Sequence, residues 1–247
     1  MRSLVIGLAI LAGLTVACSG SAGLLGSRFA DVYATFAPLY ALHRSYADYL
    51  FHGTAVAIPR DLGASCERFS YELALFHVEL SVQTESVTAG GFAYLVRLRA
   101  ESTSFCDVHG ESIRVIAESD EVDRDLLSAA SDEGLFAGIK RMNDLMEAEL
   151  DEILAGMGEG IERWAFAVTF SIRTLLNRAE IGRIDTNLRE ILWGDLQGTA
   201  PPFAVPAEVA TAMERLIELS DRELSEVEVE EAVRAATRIY EHFVAQP

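Results

Sequence analysis

The residues of this 247-residue chain that could do chemistry are five histidines, three cysteines and several clusters of carboxylates. His43, His52, His77, His109 and His242 show no metal-ligand spacing. On a strand, His77 and Glu79 would share a face, and His43 could reach a carboxylate across a core. Asp120, Glu121, Asp123 and Asp125 form an oxygen-rich group. Calcium wants six to eight oxygens from a flexible loop. This group has no central glycine, and acidic residues entering a helix are already favoured by its dipole. Glu147, Glu149, Asp151 and Glu152 read as a solvated helix face, as do Glu226, Glu228, Glu230 and Glu231. Gly156-Met-Gly-Glu-Gly160 is glycine-rich, but Glu159 inside it would repel a phosphate, so it reads as a helix breaker. The chain contains no GxSxG elbow, HExxH pair, phosphate-binding GxxxxGK loop, CxxCH site or EF-hand loop. The expectation is a chain without a metal or cofactor and leaning away from enzymatic activity.

The most specific signal is N-terminal. Arg2 supplies a positive start, and Leu4 to Val16 is apolar apart from glycine and one threonine, too short for an ordinary membrane span. It ends in Leu14-Thr15-Val16-Ala17-Cys18, followed by Ser19-Gly20-Ser21-Ala22-Gly23. This string resembles the lipobox of bacterial lipoproteins, in which the cysteine is lipidated and becomes the first mature residue. It departs from the usual pattern at Thr15, where Leu, Val or Ile is expected, so cleavage after Ala17 or Ala22, or an uncleaved signal anchor, stays open. The resemblance implies a signal peptide over 1–17, lipidation of Cys18 and a location in the cell envelope, facing the periplasm or the surface. The partner this implies is a lipid membrane, and residues 18–26 would form a tether to a single globular domain over 27–247.

In that oxidising compartment the remaining cysteines, Cys66 and Cys106, read as a disulfide, with two buried free thiols as the alternative. A CxxC redox site is absent. Half of the residues are hydrophobic, enough for a sizeable core, and 38 Asp and Glu stand against 20 Lys and Arg. Removal of Arg2 would make the mature chain slightly more acidic still. Such a field disfavours nucleic acid and anionic membrane surfaces.

The elements that must position these residues are mostly helical. Phe29, Tyr33, Phe36 and Tyr40 stack on one face of a helix over 27–51, which Pro38 should kink or split. Over 69–118 the alternation of Phe92, Tyr94, Val96, Leu98 and Ala100, and of Ile113, Val115 and Ala117, predicts strands. Thr88–Gly91 and Asp107–Gly110 would be the turns. A helical hairpin competes, because Phe69, Leu73, Phe76 and Leu80 also fit a 3.6-residue period. Helix returns near Asp123–Ala155, with Leu135, Ile139, Met142, Met146, Leu150 and Ile153 as its apolar positions. Residues 161–178 fit strand and helix equally. A short helix over 185–196, a proline-rich linker over 198–206, a helix from Pro206 to Leu219, and a last helix behind a Ser225/Glu228 capping box complete the chain.

The fold expected is therefore α+β and helix-rich, with a small antiparallel hairpin or meander near 69–118 and a helical C-terminal third. An all-α helical bundle is the alternative. The function expected is a membrane-tethered, non-enzymatic interaction or assembly module with an envelope protein as partner and no nucleic acid. A carrier for an apolar small ligand would instead line a pocket, with Tyr33, Phe36, Tyr40, Trp164 and Phe166 as candidates. An envelope hydrolase without a recognisable motif would join His43, His77 or His109 to an acidic partner.

Overall fold

The structure, a computed structural model, describes residues 23–45, 51–53, 62–82, 89–118, 133–157, 160–180, 184, 188–192 and 204–244. The signal segment, Cys18, the acidic group at 120–125 and the linker over 198–203 lie outside them. Among the described residues every regular element is helical. The helices are α1 (23–45), α2 (Leu62–Val82), α3 (Ala89–Glu118), α4 (Glu133–Gly156), α5 (Ile161–Glu180), the single turn α6 (Leu188–Ile191), α7 (Ala207–Leu219) and α8 (Glu226–Val244). No described helix is long and apolar enough to cross a membrane.

The all-α alternative fits the described residues, and the expected hairpin of strands is corrected to a pair of long helices. The reason is visible in which residues are buried. On α2, Cys66, Phe69, Leu73 and Phe76 are buried at steps of three and four, while Tyr71, of the same parity as Phe69 and Leu73, is 62% exposed. On α3, Leu98, Ser102, Phe105, Ile113 and Ile116 are buried, while Val96, Val108 and Val115 face solvent. Asp107–Gly110 and Ala89–Gly91, expected as turns, are both within α3. α5 settles the ambiguous stretch as helix. Every residue from Ala165 to Ile172 is buried, so the small residues between the large ones are core too, and the alternation marked no exposed face.

The described residues form two compact units. The first joins residues 23–31 of α1 to α5, α6, α7 and α8. Its core gathers Val168, Ile172, Leu175, Leu188, Leu192, Val209, Met213, Leu216 and Ile239. α1 lies on α5 through Phe29, whose ring is 5.5 Å from Phe170 and 6.4 Å from Phe166. α7 starts behind Pro206, whose carbonyl accepts from the Val209 and Ala210 amides. α7 and α8 are clipped by Arg215, whose Nε and Nη2 each donate to Glu231 at 2.9 Å. At the start of α8 the Ser225 amide and hydroxyl both donate to Glu228 Oε2, at 3.0 and 2.8 Å. Those two bonds and the nearby Arg222 guanidinium push the Glu228 carboxyl down to about 2. α8 therefore begins where the capping signature places it.

The second unit joins residues 32–45 of α1 to α2, α3 and α4. α1 continues through Pro38 as helix. Buried Val32, Phe36, Leu39 and Leu42 point it into this unit, with the Phe36 ring 5.3 Å from Phe69 of α2. α2 and α3 are joined by the Cys66–Cys106 disulfide, whose Cα atoms lie 5.7 Å apart. α4 packs on α3 at Gly138, where a β-carbon would stand 2.7 Å from the Phe105 ring. Beside that contact Arg141 Nε donates to Glu101 at 3.0 Å.

Candidate functional site

The aromatic residues proposed from sequence as a pocket are distributed between the units. Tyr33, Phe36 and Tyr40 belong to the second and Trp164 and Phe166 to the first. Phe36 and Phe166 are core residues. Trp164 packs edge-on against Phe243, 5.5 Å between centroids. Tyr40 stacks on His43 at 6.3 Å. The first unit encloses a cavity of about 20 Å³ between Val168, Ile172, Leu192, Met213, Leu216, Ile217 and Ile239. It is wholly apolar and offers room for about one water-sized body without a polar partner.

Charge and hydrogen bonding concentrate elsewhere in the first unit. Arg173 of α5 donates through Nε to Asp31 of α1 at 2.7 Å. Asn177 Nδ2 lies 3.4 Å from both that carboxylate and the Ala30 carbonyl. The Arg173 guanidinium sits over the Tyr240 ring at 5.5 Å, and Tyr240 Oη lies 3.4 Å from Ser27 Oγ. Burial is the strongest single influence on Arg173 and works against its charge, but the Asp31 hydrogen bond together with the charges of Asp31, Tyr240 and Glu180 raises its pKa. This network ties three helices together with its donors and acceptors engaged mutually, so its chemistry is structural. Sequence reasoning missed it because its partners lie 142 positions apart.

In the second unit His43 lies between Tyr40 and the Phe136 ring, 6.4 Å away. Burial first, and Lys140 second, lower its pKa against the pull of Asp144. Its buried Nδ1 has no hydrogen-bond partner, and Asp144 is held instead by Lys140 at 2.7 Å. His109 packs against the Phe105 ring at 5.1 Å. His242 lies edge-on to Phe243 at 4.9 Å. His77 is within α2, its side chain outside the described set.

One carboxylate departs from the sequence reading outright. Glu149, expected on a solvated face, is 0% exposed, and both its oxygens lack a hydrogen-bond partner. Burial alone pushes its carboxyl up to about 9. The signal was available: Leu135, Ile139, Met142, Met146, Glu149 and Ile153 follow strict steps of four and three, so Glu149 occupies a core position of α4.

A groove of about 640 Å³ open to solvent runs along α3, lined by Val96, Arg99, Ala100, Thr103, Ser104, Asp107 and Val108. Val96 and Val108 are 48% and 70% exposed. With Ala100 and Val115 they lie along one side of the helix, one or two turns apart. Neither a family model, nor a curated protein, nor a solved structure matches this chain.

Proposed function

We propose that this chain is a cell-envelope lipoprotein, anchored through Cys18, that works as a non-enzymatic interaction module. The α3 face, on a helical hairpin clipped by a disulfide, would be its docking surface for an envelope protein. The observation that carries the reading is the row Val96, Ala100, Val108 and Val115, left to solvent on a rigid support and bordered by Arg99 and Asp107. Apolar contacts set within a charged rim are how protein partners are bound. The carrier reading gains less support, since the enclosed cavity of the first unit is far below the several hundred Å³ that a small-molecule site occupies. The lipobox-like segment and the placement of both remaining cysteines in one disulfide suit an exported chain.

The test has two parts. Mass spectrometry of the full chain purified from its own membranes should give residues 18–247 plus acyl groups, less two hydrogens for the disulfide. A photo-crosslinker at Val108 or Val96 should then yield one discrete adduct in the intact envelope, and the same probe at exposed Glu223 none. An unacylated mass, or equal labelling at all three positions, would overturn the reading.

A further inference from the structure

The position of the anchor relative to the first unit has a consequence for what that unit touches. Cys18 and Gly23 are five residues apart, and a fully extended chain spans at most about 3.6 Å per residue, so Gly23 stays within about 18 Å of the acylated cysteine. Gly23 is already helical and packed: a β-carbon there would stand 3.2 Å from Thr169 Oγ1 and 3.5 Å from the Phe243 carbonyl oxygen. Four residues on, Ser27 meets Tyr240. α1 and α8 therefore run antiparallel, and the last turn of α8 lies at the anchored end.

That end is aromatic. Trp164, near the start of α5, meets Phe243 edge-on, and His242 is edge-on to the same Phe243 ring. All three are half-buried, and Leu24, next in sequence to Gly23, is 48% exposed. Trp164 Nε1 is buried, so the exposed edges of Trp164 and Phe243 are carbon, and aromatic edges of this kind suit the boundary between headgroups and acyl chains, where Trp collects. Here a lipid anchor on a short tether delivers them to that depth. The charges of this end, Glu162 and Glu241 beside Arg163, give no net attraction to anionic lipid, and the chain as a whole carries −18.

We infer that the end of the first unit formed by Leu24, Trp164, His242 and Phe243 rests on the headgroup layer of the membrane holding Cys18, and that it accepts zwitterionic lipid. The inference rests on the lipoprotein reading, and the experiment separates the two. The acylated full chain carrying Trp193→Phe, which leaves Trp164 as its one tryptophan, is placed in phosphatidylcholine vesicles containing lipid brominated near the headgroup. A second chain carries Trp193→Phe, Trp164→Phe and Glu223→Trp. Position 223 precedes α8, whose stretch from Glu226 to Phe243 is roughly 26 Å long at 1.5 Å per residue. Circular dichroism checks that both retain their helix content.

The expected result is flotation of both chains with the vesicles, and quenching at position 164 at least threefold that at 223. Flotation with equal or no quenching at 164 overturns the inference and leaves the anchor standing. A chain that carries no acyl mass and stays below the vesicles overturns the lipoprotein reading and the inference with it.

Discussion

Gly26 of α1 runs so close to Phe166 of α5 that a β-carbon at position 26 would collide with the Phe166 carbonyl oxygen. The obstacle is backbone, which cannot rotate aside as a side chain can. This crossing lets Leu25, Phe29 and Ala30 reach full burial, and it holds α1 at the distance where Arg173 meets Asp31.

Gly26→Ala should therefore destabilise the first unit. The helix gains about 1 kcal/mol of intrinsic propensity from alanine, but forcing two helices apart costs about 1–3 kcal/mol or more. Gly110→Ala in α3 is the internal comparison, because a β-carbon there meets nothing within 4 Å. That substitution should be stabilising by about 0.5–1 kcal/mol. Urea midpoints followed by circular dichroism would move in opposite directions for the two variants. Equal shifts would mean that α1 and α5 separate freely at Gly26.

The Cys66–Cys106 bond spans 40 positions of sequence and fastens α2 to α3. Replacing both cysteines by alanine should cost the second unit about 4 kcal/mol on the chain-entropy account. Trp164 belongs to the first unit, and a chain that also carries Trp193→Phe has it as its one tryptophan. Tryptophan fluorescence should thus keep its transition while the helical signal loses cooperativity at lower urea. A fluorescence transition that shifts by the same amount would show the two units unfolding as one.

That bond also shows how far the sequence could be read. The pairing follows from the cysteine count and the export signal, and it constrains strands and helices alike, so it could not choose between them. The choice lay in parity. A strand with Leu98 buried would bury Val96 and Ala100 as well, and one with Ile113 buried would bury Val115. In α3 Leu98 and Ile113 are buried while Val96 and Val115 are exposed. Sequence alone cannot tell an apolar residue in the core from one left on a surface. In α5 the reverse held: Ala167, Thr169 and Ser171 are small enough to be buried where polar spacers were expected. The C-terminal helices were legible because their signals are local, with Pro206 before α7 and Ser225 with Glu228 before α8. The Arg173–Asp31–Tyr240 network was not, since no local pattern joins residues of three distant helices.

Glu149 provides the sharpest test of the second unit. Its carboxyl is fully buried, and among the described residues it has no hydrogen-bond partner and no charged group that offsets the cost. His43 on α1 is set among Tyr40 and Phe136, Glu101 of α3 is taken by Arg141, and Lys140 is taken by Asp144. The folded-state pKa of about 9 lies above the ordinary 4.5. The folded unit consequently holds a proton that the unfolded chain has released across that interval. Its contribution to stability is complete below about pH 4.5, declines as pH rises and is gone above about pH 9. Within the window the loss is about 1.4 kcal/mol per pH unit. Glu149→Gln should abolish this slope, and Glu149→Leu should both abolish it and raise stability at neutral pH by removing the buried polar group. Urea midpoints of the helical signal at pH 5 and pH 8 would decide the matter. The wild-type chain should lose stability between the two relative to Glu149→Gln, and parallel behaviour would mean that solvent or a cation reaches the carboxylate.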